Sequence, residues 1–293
     1  MKSKPLITIF TPTYNRAYIL PKLYKSLQEQ ECQDFEWIVV DDGSTDTTEE
    51  LIHKWKKERN AFPITYEKVK NGGKHRAINR GVKLANSPLF FIIDSDDQLA
   101  PGAIQNILEM NRLTTKRAGL AGFSGIRVTS SGKTVGGDGN LEGWDYIDAS
   151  NLEREHYNLL GDKAEVYFTE ILKKYPFPEF KGENFLDEGI VWNKIAQDSH
   201  KIRWFNKPLC ICEYRDDGLT KNLNQKNLNN PKGFALYTKE KAKHTNSPIK
   251  KLRAYYSYFT IMKATQSKRS IMKSLQIGPI TYSLLVLISK VKK

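Results

Sequence analysis

Apolar runs of strand length alternate with helix-length patterns through the first hundred residues of the chain. The runs LITIF, FEWIVV, ITYEKV and LFFII are each followed by a polar turn and then by a helical pattern. Such alternation predicts parallel β-α-β units. The continuous apolar character of WIVV and FFII indicates strands buried on both faces. We therefore expect an α/β protein with a mostly parallel sheet flanked by helices.

Polar residues cluster where each of these four strands should end. They occupy positions 15–16, 41–42, 71–75 and 94–97. Ligands of open α/β sheets bind at the carboxyl ends of the strands. Four polar clusters on one predicted edge therefore indicate a ligand site there.

The last of these clusters, in FFIIDSDDQLAPG, places three carboxylates within four positions. Asp94, Asp96 and Asp97 should repel one another and resist burial. A hard divalent cation would cancel this repulsion and accept phosphate oxygens as further ligands. The alternative is an ordinary turn and helix cap, since Asp is common in both. A helix cap alone does not explain three acids.

Several function classes lack their sequence motifs. The chain has neither a G-x-x-x-x-G-K-[ST] loop nor a G-x-G-x-x-G motif after the first strand. Its three cysteines, Cys32, Cys210 and Cys212, form neither a disulfide framework nor the usual zinc spacing. No apolar run reaches the roughly 18 residues of a membrane-spanning helix, and no signal peptide is evident. A cytoplasmic location is expected.

Positive charge is concentrated at the end of the chain. The net charge is +13, yet sixteen Lys and Arg follow residue 220 against the single acid Glu240. The preceding part is nearly neutral, with 30 basic and 32 acidic residues. We therefore expect two regions with different roles, 1–220 and 221–293.

Four motifs together resemble the family-2 glycosyltransferases. These are ITIFTPTYNRAYILPKLYKSL, IVVDDGSTDTT, NGGKHRAINRGVKLA and FFIIDSDD, in this order, and the resemblance extends over roughly residues 5–220. It implies the Rossmann-like GT-A fold, with a nucleotide-binding half over 1–100 and an acceptor half over 101–220. It also implies inverting transfer of a sugar from a nucleotide diphosphate sugar, in the synthesis of a bacterial surface polysaccharide.

The resemblance assigns nucleotide contacts by motif position. Thr11, Pro12 and Tyr14 match the strand end that contacts the nucleoside, and Asp42 matches the acid that hydrogen-bonds the base, usually uracil. Lys74 lies where a cation could meet the base or the diphosphate. Taken alone, Asp42 could instead cap a helix, and Lys74 could be an ordinary loop lysine.

The resemblance also assigns a metal site to the acidic cluster. Asp94 and Asp96 match the D-x-D motif that meets ribose and metal, and Asp97 lies beside them. The implied cofactor is Mn²⁺ or Mg²⁺, both of which accept oxygen ligands.

A later acidic pair matches the catalytic base of the family. In FLDEGIVW, Glu188 aligns with the base, and Asp187 is the second candidate because many members have the order Glu-Asp. A carboxylate there would take the proton of the acceptor hydroxyl. The alternative is a pair of acids favoured by the dipole at a helix N-terminus.

The basic tail suggests a membrane surface as a further partner. IKKLRAYYSYFTIMK has an apolar helical stripe among basic residues, and IGPITYSLLVLI is apolar but too short to span. This pattern is typical of a peripheral anchor on anionic lipid at the inner face of the membrane. The alternative is packing of these helices on the rest of the protein. No nucleic-acid-binding motif accompanies the charge.

The transferase interpretation has two rivals. A nucleotidyltransferase would carry a Gly-rich basic loop after the first strand, where this chain has Thr-Pro-Thr-Tyr-Asn-Arg. An inactive nucleotide-sugar-binding or membrane scaffold should have lost the D-x-D motif or the base.

Processive synthases carry Gln-x-x-Arg-Trp, but here the stretch is His-Lys-Ile-Arg-Trp over 200–204. Transfer of one sugar to a glycan or lipid-linked acceptor is therefore expected.

Overall fold

The computed structural model describes residues 4–114, 118–137, 143–212 and 222–291. The chain divides into two compact units. The first combines residues 1–177 with 191–215, and the second combines 178–190 with 216–293. The sequence places a boundary at residue 220. In the structure, residues 178–190, which precede that boundary, group with the C-terminal helices.

The first unit is built on a single sheet with helices packed against it. Its strands are β1 Ile7–Thr13, β2 Phe35–Asp41, β3 Ile64–Lys68, β4 Leu89–Ile92, β5 Gln98–Leu99, β6 Leu120–Val128, β7 Ile147–Ala149, β8 Lys163–Phe168 and β9 Lys201–Ile211. The helices of this part of the chain are α1 Leu20–Gln28, α2 Thr48–Lys57, α3 Lys74–Leu84, α4 Ala103–Thr114, α5 Thr169–Lys174 and α6 Gly189–Gln197.

The sheet is mixed rather than mostly parallel. Its strand order is β3-β2-β1-β4-β8-β6-β9-β5, and β7 pairs with β9. The first four strands are parallel, as the sequence predicts. β8 is antiparallel to both of its neighbours, β4 and β6, whereas β6 and β9 are parallel.

The centre of the sheet is buried on both faces. Every residue of β1 and β2 is buried, which explains their continuous apolar runs. Helix α3 lies so close to β1 that a Cβ on Gly81 would be 2.1 Å from the Phe10 ring. This close approach packs α3, whose first residue is Lys74, against β1.

The parallel half of the sheet gathers the predicted ligand residues on one edge. Since β1 to β4 run in the same direction, the loops that follow them leave the sheet at the same side. These loops contain the four polar clusters found in the sequence. The α/β fold and the shared edge are thus confirmed.

The second unit is helical in its C-terminal part and has a core of its own. Its helices are α7 Leu223–Asn229, α8 Pro231–Lys243, α9 Pro248–Met262, α10 Lys268–Leu275 and α11 Pro279–Val291. The core includes Phe234, Tyr258, Phe259, Met262 and Leu285. The segment 221–248 thus contains two regular helices, where the Asn- and Lys-rich sequence suggests a loop or an irregular helix.

Among the described residues, no single helix is long and apolar enough to cross a membrane. Helices α10 and α11 meet the length and hydropathy requirement only as a pair, and they bend by 115° at the break between them.

Candidate active site

The loops after β1 and β2 are joined by side-chain hydrogen bonds. The side-chain oxygen of Asn15, a residue with φ of 53°, accepts the backbone N–H of Thr45 at 2.8 Å. The Asn15 N–H donates to Ser44 Oγ at 2.8 Å, and Asp46 Oδ2 accepts the N–H of Ala17 at 3.0 Å. These bonds fix the two loops at the strand ends in one arrangement.

Asp41 supports the loop that carries its neighbour Asp42. Its Oδ1 accepts the N–H of Ser44 at 2.7 Å, and its Oδ2 accepts the hydroxyl of Tyr66 at 2.7 Å. Both carboxylate oxygens are therefore used within the fold.

Asp42 connects the end of β2 to the start of α3. Its two oxygens accept the N–H groups of Gly72 and Gly73 at 2.7 and 2.8 Å. Burial raises the pKa of Asp42 above its usual value, although these N–H donors act to lower it. Each oxygen keeps a second lone pair for another donor.

Gly43 allows the loop after β3 to approach Asp42. Its φ is +81°, and an added Cβ would lie 2.9 Å from the backbone nitrogen of Asn71. Both the backbone conformation and the space therefore favour glycine.

Two basic residues neutralise two of the three clustered carboxylates. Lys74 Nζ lies 2.6 Å from Asp94 Oδ1. Arg127 Nη1 lies 2.5 Å from Asp97 Oδ2. The protein thus removes much of the predicted repulsion with its own side chains.

The pKa values of the two paired acids differ in direction. Burial acts to raise the pKa of Asp94, but the charges of Lys74, Arg127 and Arg16 together hold it below its usual value. Burial raises the pKa of Asp97 despite the opposing effect of Arg127. Asp94 therefore remains negatively charged at neutral pH.

Asp96 differs from its two neighbours. Its side chain is partly exposed, and within the described part of the chain it forms neither a hydrogen bond nor an ion pair. A hard cation held by one or two carboxylates completes its shell with phosphate oxygens and water. Asp96 fits this requirement, whereas Asp94 and Asp97 already have cationic partners.

An arginine side chain contacts a second group of potential metal-ligand atoms. Asp97, Cys210 and Cys212 offer one ligand atom each, all within 4.8 Å of one another. Arg127 Nη1 lies 2.5 Å from the Asp97 carboxylate, 3.4 Å from Cys212 Sγ and 3.9 Å from Cys210 Sγ. The guanidinium therefore takes the place that a metal ion would need.

The three predicted β1 contacts are exposed to different degrees. Thr11 and Pro12 are buried, and Thr11 Oγ1 accepts the indole N–H of Trp37 at 3.1 Å. Tyr14 is 48% exposed. Of these three residues, Tyr14 is therefore the one that is exposed to solvent.

The two candidate base residues belong to the second unit. Asp187 Oδ1 accepts the N–H of Gly189, the first residue of α6, at 2.9 Å. Burial raises the pKa of Asp187, and the charge of Glu188 acts in the same direction. Glu188 is partly exposed. A carboxyl with a raised pKa is suited to accepting a proton near neutral pH.

Two cations of this site were not assigned by sequence reasoning. Arg127 lies on β6, 30 positions from its partner Asp97, and only the strand order brings the two together. Arg16 lies in the loop after β1, three residues beyond Thr13, and its charge acts on Asp94. Its position at a strand end was the one sequence signal available for it.

A protein-family model matches part of the chain. Residues 8–131 match the model described as Glycosyl transferase family 2. The match contains all four strand-end motifs.

Two curated relatives are glycosyltransferases. A GalNAc(5)-diNAcBac-PP-undecaprenol beta-1,3-glucosyltransferase of Campylobacter jejuni is 25% identical over 231 residues, which is 74% of this chain and 67% of that protein. The abequosyltransferase RfbV of Salmonella typhimurium is 40% identical over 102 residues. That second match spans 34% of this chain and only 30% of the relative.

Solved structures share the fold. S. aureus TarS 1–349 in complex with UDP-GlcNAc has a TM-score of 0.62 at 18% identity, covering 95% of this chain and 79% of TarS 1–349. The mannosyltransferase PcManGT of Pyrobaculum calidifontis in complex with GDP-Man and Mn²⁺ has a TM-score of 0.56 at 15% identity. That alignment covers 97% of this chain and 84% of PcManGT. This likeness establishes the GT-A fold.

The Lys74–Asp94 pair should contribute measurably to stability. Lys74→Met leaves Asp94 without its closest cation, so we expect a loss of about 1–3 kcal/mol in unfolding free energy at pH 7. Because folding lowers the pKa of Asp94, its contribution is present above the unfolded value of about 4 and is lost below it. Urea denaturation at pH 7 should show the full difference, which should shrink as the pH falls below about 4.

Lys68→Met is the matched control for this experiment. Lys68 pairs with Glu49 at 2.8 Å, but both side chains are more than one third exposed. Its replacement should cost less than about 0.5 kcal/mol. Equal losses for the two variants would contradict the charge-compensation account.

Proposed function

We propose that this chain is a glycosyltransferase of family 2, whose model matches residues 8–131, and that it transfers one sugar, with inversion, from a nucleotide diphosphate sugar to a glycan or lipid-linked acceptor hydroxyl. A UDP-sugar is the proposed donor, and assembly of a cell-surface polysaccharide is the proposed setting. The observation that carries the proposal is the shared edge of β1 to β4, where Asp42, Lys74 and Asp94–Asp97 converge.

The nucleotide would bind across the strand-end loops. Asp42 would accept an N–H of the base through the remaining lone pair of a carboxylate oxygen, as uracil requires. Lys74 and Arg16 would place positive charge toward the diphosphate, and Tyr14 offers an exposed ring beside the loop. TarS has been crystallised with UDP-GlcNAc, which supports uridine, whereas PcManGT with GDP-Man keeps guanosine as the alternative.

A divalent cation, Mn²⁺ or Mg²⁺, is part of the proposal. Asp96 would hold it through its carboxylate, which has no ion-pair partner among the described residues, with Asp94 and Asp97 close by. When bound, such an ion stabilises negative charge on the departing diphosphate. Asp94 could also accept a ribose hydroxyl, because each oxygen of an ionised carboxylate has more than one lone pair.

The transfer itself needs a base. The acceptor oxygen attacks the anomeric carbon from the face opposite the diphosphate, the sugar–phosphate C–O bond breaks, and the nucleoside diphosphate leaves with the bonding electrons. The acceptor proton passes to a carboxylate, for which we propose Glu188, with Asp187 as the second candidate. Asp187 has a structural task at the start of α6, which favours Glu188 for the proton transfer.

The Arg203-Trp204 pair supports transfer of a single sugar. Arg203 makes two hydrogen bonds to Asp148, at 2.7 and 2.8 Å. The indole of Trp204 donates to the carbonyl of Ala149 at 2.8 Å. These hydrogen bonds connect β9 to β7, so both side chains have a structural role. The Gln that begins the Gln-x-x-Arg-Trp motif of processive synthases is replaced here by His200.

Isosteric variants separate the proposed roles. With UDP-sugars as donors and bacterial lipid-linked glycan as acceptor, Glu188→Gln should lower kcat by about 100-fold or more with little change in donor KM. Asp187→Asn, which keeps an oxygen for the Gly189 N–H, should have a smaller effect. Asp96→Asn should weaken donor binding and abolish its dependence on Mn²⁺. Released UDP measures turnover in each case.

Glu179→Gln is the control, because Glu179 is an exposed acid of the same segment. It should keep wild-type kcat. A larger loss in Asp187→Asn than in Glu188→Gln would make Asp187 the base. Full turnover in both would contradict the assignment of the base to this segment.

The basic C-terminal helices are proposed to lie on an anionic membrane surface. Ile280, Leu284, Leu287 and Val291 follow one face of α11, and each is at least 45% exposed. Leu285 on the opposite face is fully buried in the core of the second unit. The sequence after Glu240 contains no acid, so every charged residue of α9, α10 and α11 is basic. An apolar stripe among cations matches the chemistry of anionic lipid.

Vesicle sedimentation tests this surface. Replacing Ile280, Leu284 and Leu287 by Ser should lower partitioning onto phosphatidylglycerol vesicles about tenfold or more, because the apolar contact is lost. Binding should also fall with salt and be weak on phosphatidylcholine. Ile249→Ser, at another exposed apolar position of the unit, should bind normally. Unchanged partitioning of the triple variant would contradict the proposal.

A further inference from the structure

A buried glutamate joins the acidic segment to the start of helix α8. Glu183 is only 6% exposed, and its two oxygens accept the N–H groups of Lys232 and Gly233 at 2.9 and 2.8 Å. These N–H groups lie in the first turn of α8, where backbone donors have no partner within the helix. A carboxylate is also favoured there by the helix dipole. Glu183 therefore caps α8 from a distant part of the sequence.

A buried asparagine makes the reciprocal connection. Asn230, 2% exposed, precedes α8 and accepts the N–H groups of Asn184 and Phe185 through Oδ1 at 2.7 and 3.0 Å. Its Nδ2 donates to the carbonyl of Lys226 in α7 at 2.7 Å, which fixes the orientation of the amide. The segment and the α7–α8 junction thus hold each other through four N–H donors.

Close packing accompanies these hydrogen bonds. A Cβ on Gly233 would lie 3.1 Å from both the Phe185 carbonyl oxygen and Leu186 Cδ1. The segment therefore passes directly over the first turn of α8, at a position where a side chain would push it away.

The acids Asp187 and Glu188 follow this connection immediately. Residues 183–187 have no regular secondary structure, so no helical or strand hydrogen-bond pattern fixes the conformation of this segment. Glu183 and Asn230 fix it on one side, and the Asp187–Gly189 hydrogen bond fixes it on the other.

We propose that Glu183 and Asn230 are positioning residues, which use the start of α8 to hold Asp187 and Glu188 in the geometry that proton transfer requires. This inference rests on the proposed function, in which one of these acids takes the acceptor proton. The C-terminal helices then have a part in catalysis that is independent of any contact with lipid.

Helix α8 also sets the charge around the acids. Burial raises the pKa of Asp187, whereas Lys241, two turns after Gly233, lowers it. Tyr237, between these positions, has its own pKa raised, first by burial and then by the charge of Asp187. One face of α8 thus carries the hydrogen bonds, the close approach and the nearest opposing charge.

Asn230 variants test the proposal in the full-length chain. Asn230→Ala removes the acceptor of two N–H groups and should lower kcat by about 10–100-fold, because small displacements of a reacting group are costly. UDP affinity should not change, since the proposed nucleotide residues belong to the first unit. Asn230→Asp keeps an acceptor for the two N–H groups but loses the Nδ2 donor to the Lys226 carbonyl, so it should recover only part of the activity. Glu183→Gln should lower kcat in the same way as Asn230→Ala.

Amide hydrogen exchange gives a readout independent of turnover. The N–H groups of Asn184 and Phe185 should exchange faster in Asn230→Ala, and not in Asn229→Ala. Asn229 is an exposed neighbour at the end of α7 and serves as the matched control.

Three results would overturn or redirect the inference. Faster exchange with wild-type kcat in Asn230→Ala would show that the connection does not position the acids. Equal losses of kcat and UDP affinity in both Asn230→Ala and Glu183→Gln would assign the residues to general stability. Full turnover in Glu188→Gln and Asp187→Asn would instead refute the proposed base, whatever the exchange data show.

Discussion

The charge balance at the end of β4 is the constraint on which the candidate site depends. Three aspartates stand within four residues, and they are tolerated because Lys74 and Arg127 each neutralise one of them. Those cations come from α3 and β6, so both halves of the first unit must be folded before the acids can be accommodated. Among the residues that the structure describes, Asp96 is the one of these three carboxylates that has no basic partner, and the metal proposal follows from that residue.

Sequence reasoning located the edge of the sheet but not its internal pairing. Four strand-end motifs suffice to place Asp42, Lys74 and Asp94 together, because parallel strands end at one side. From the sequence alone, a metal ion is the expected source of charge compensation for the three aspartates. Arg127 could not be predicted as a partner, because no local sequence pattern shows where its strand lies in the sheet. The hydrogen bonds of Asp42 could not be predicted from the sequence either, because the two glycines whose N–H groups it accepts lie about 30 residues away.

The second unit was harder to foresee because its order comes from side chains distant in sequence. Helices α7 and α8 arise from an Asn- and Lys-rich stretch with a weak apolar pattern, and α8 is capped by Glu183, about 50 positions earlier. The FLDEGIVW motif marked Asp187 and Glu188 as candidates. It gave no sign that Asn230 and Glu183 anchor the residues before them. The C-terminal helices pack around a core of their own, and α11 still presents an exposed apolar stripe.

The most direct test of the central claim is thermal unfolding with UDP, GDP or CMP, each with and without Mn²⁺, for the wild type and Asp96→Asn. A ligand at 100 times its Kd stabilises the folded state by about 2.7 kcal/mol. The account predicts that UDP raises Tm, that Mn²⁺ increases this shift, and that Asp96→Asn loses the increase. A shift with GDP alone would keep the site and change the donor. Absence of a shift with every nucleotide, or a Mn²⁺ effect that persists in Asp96→Asn, would contradict it.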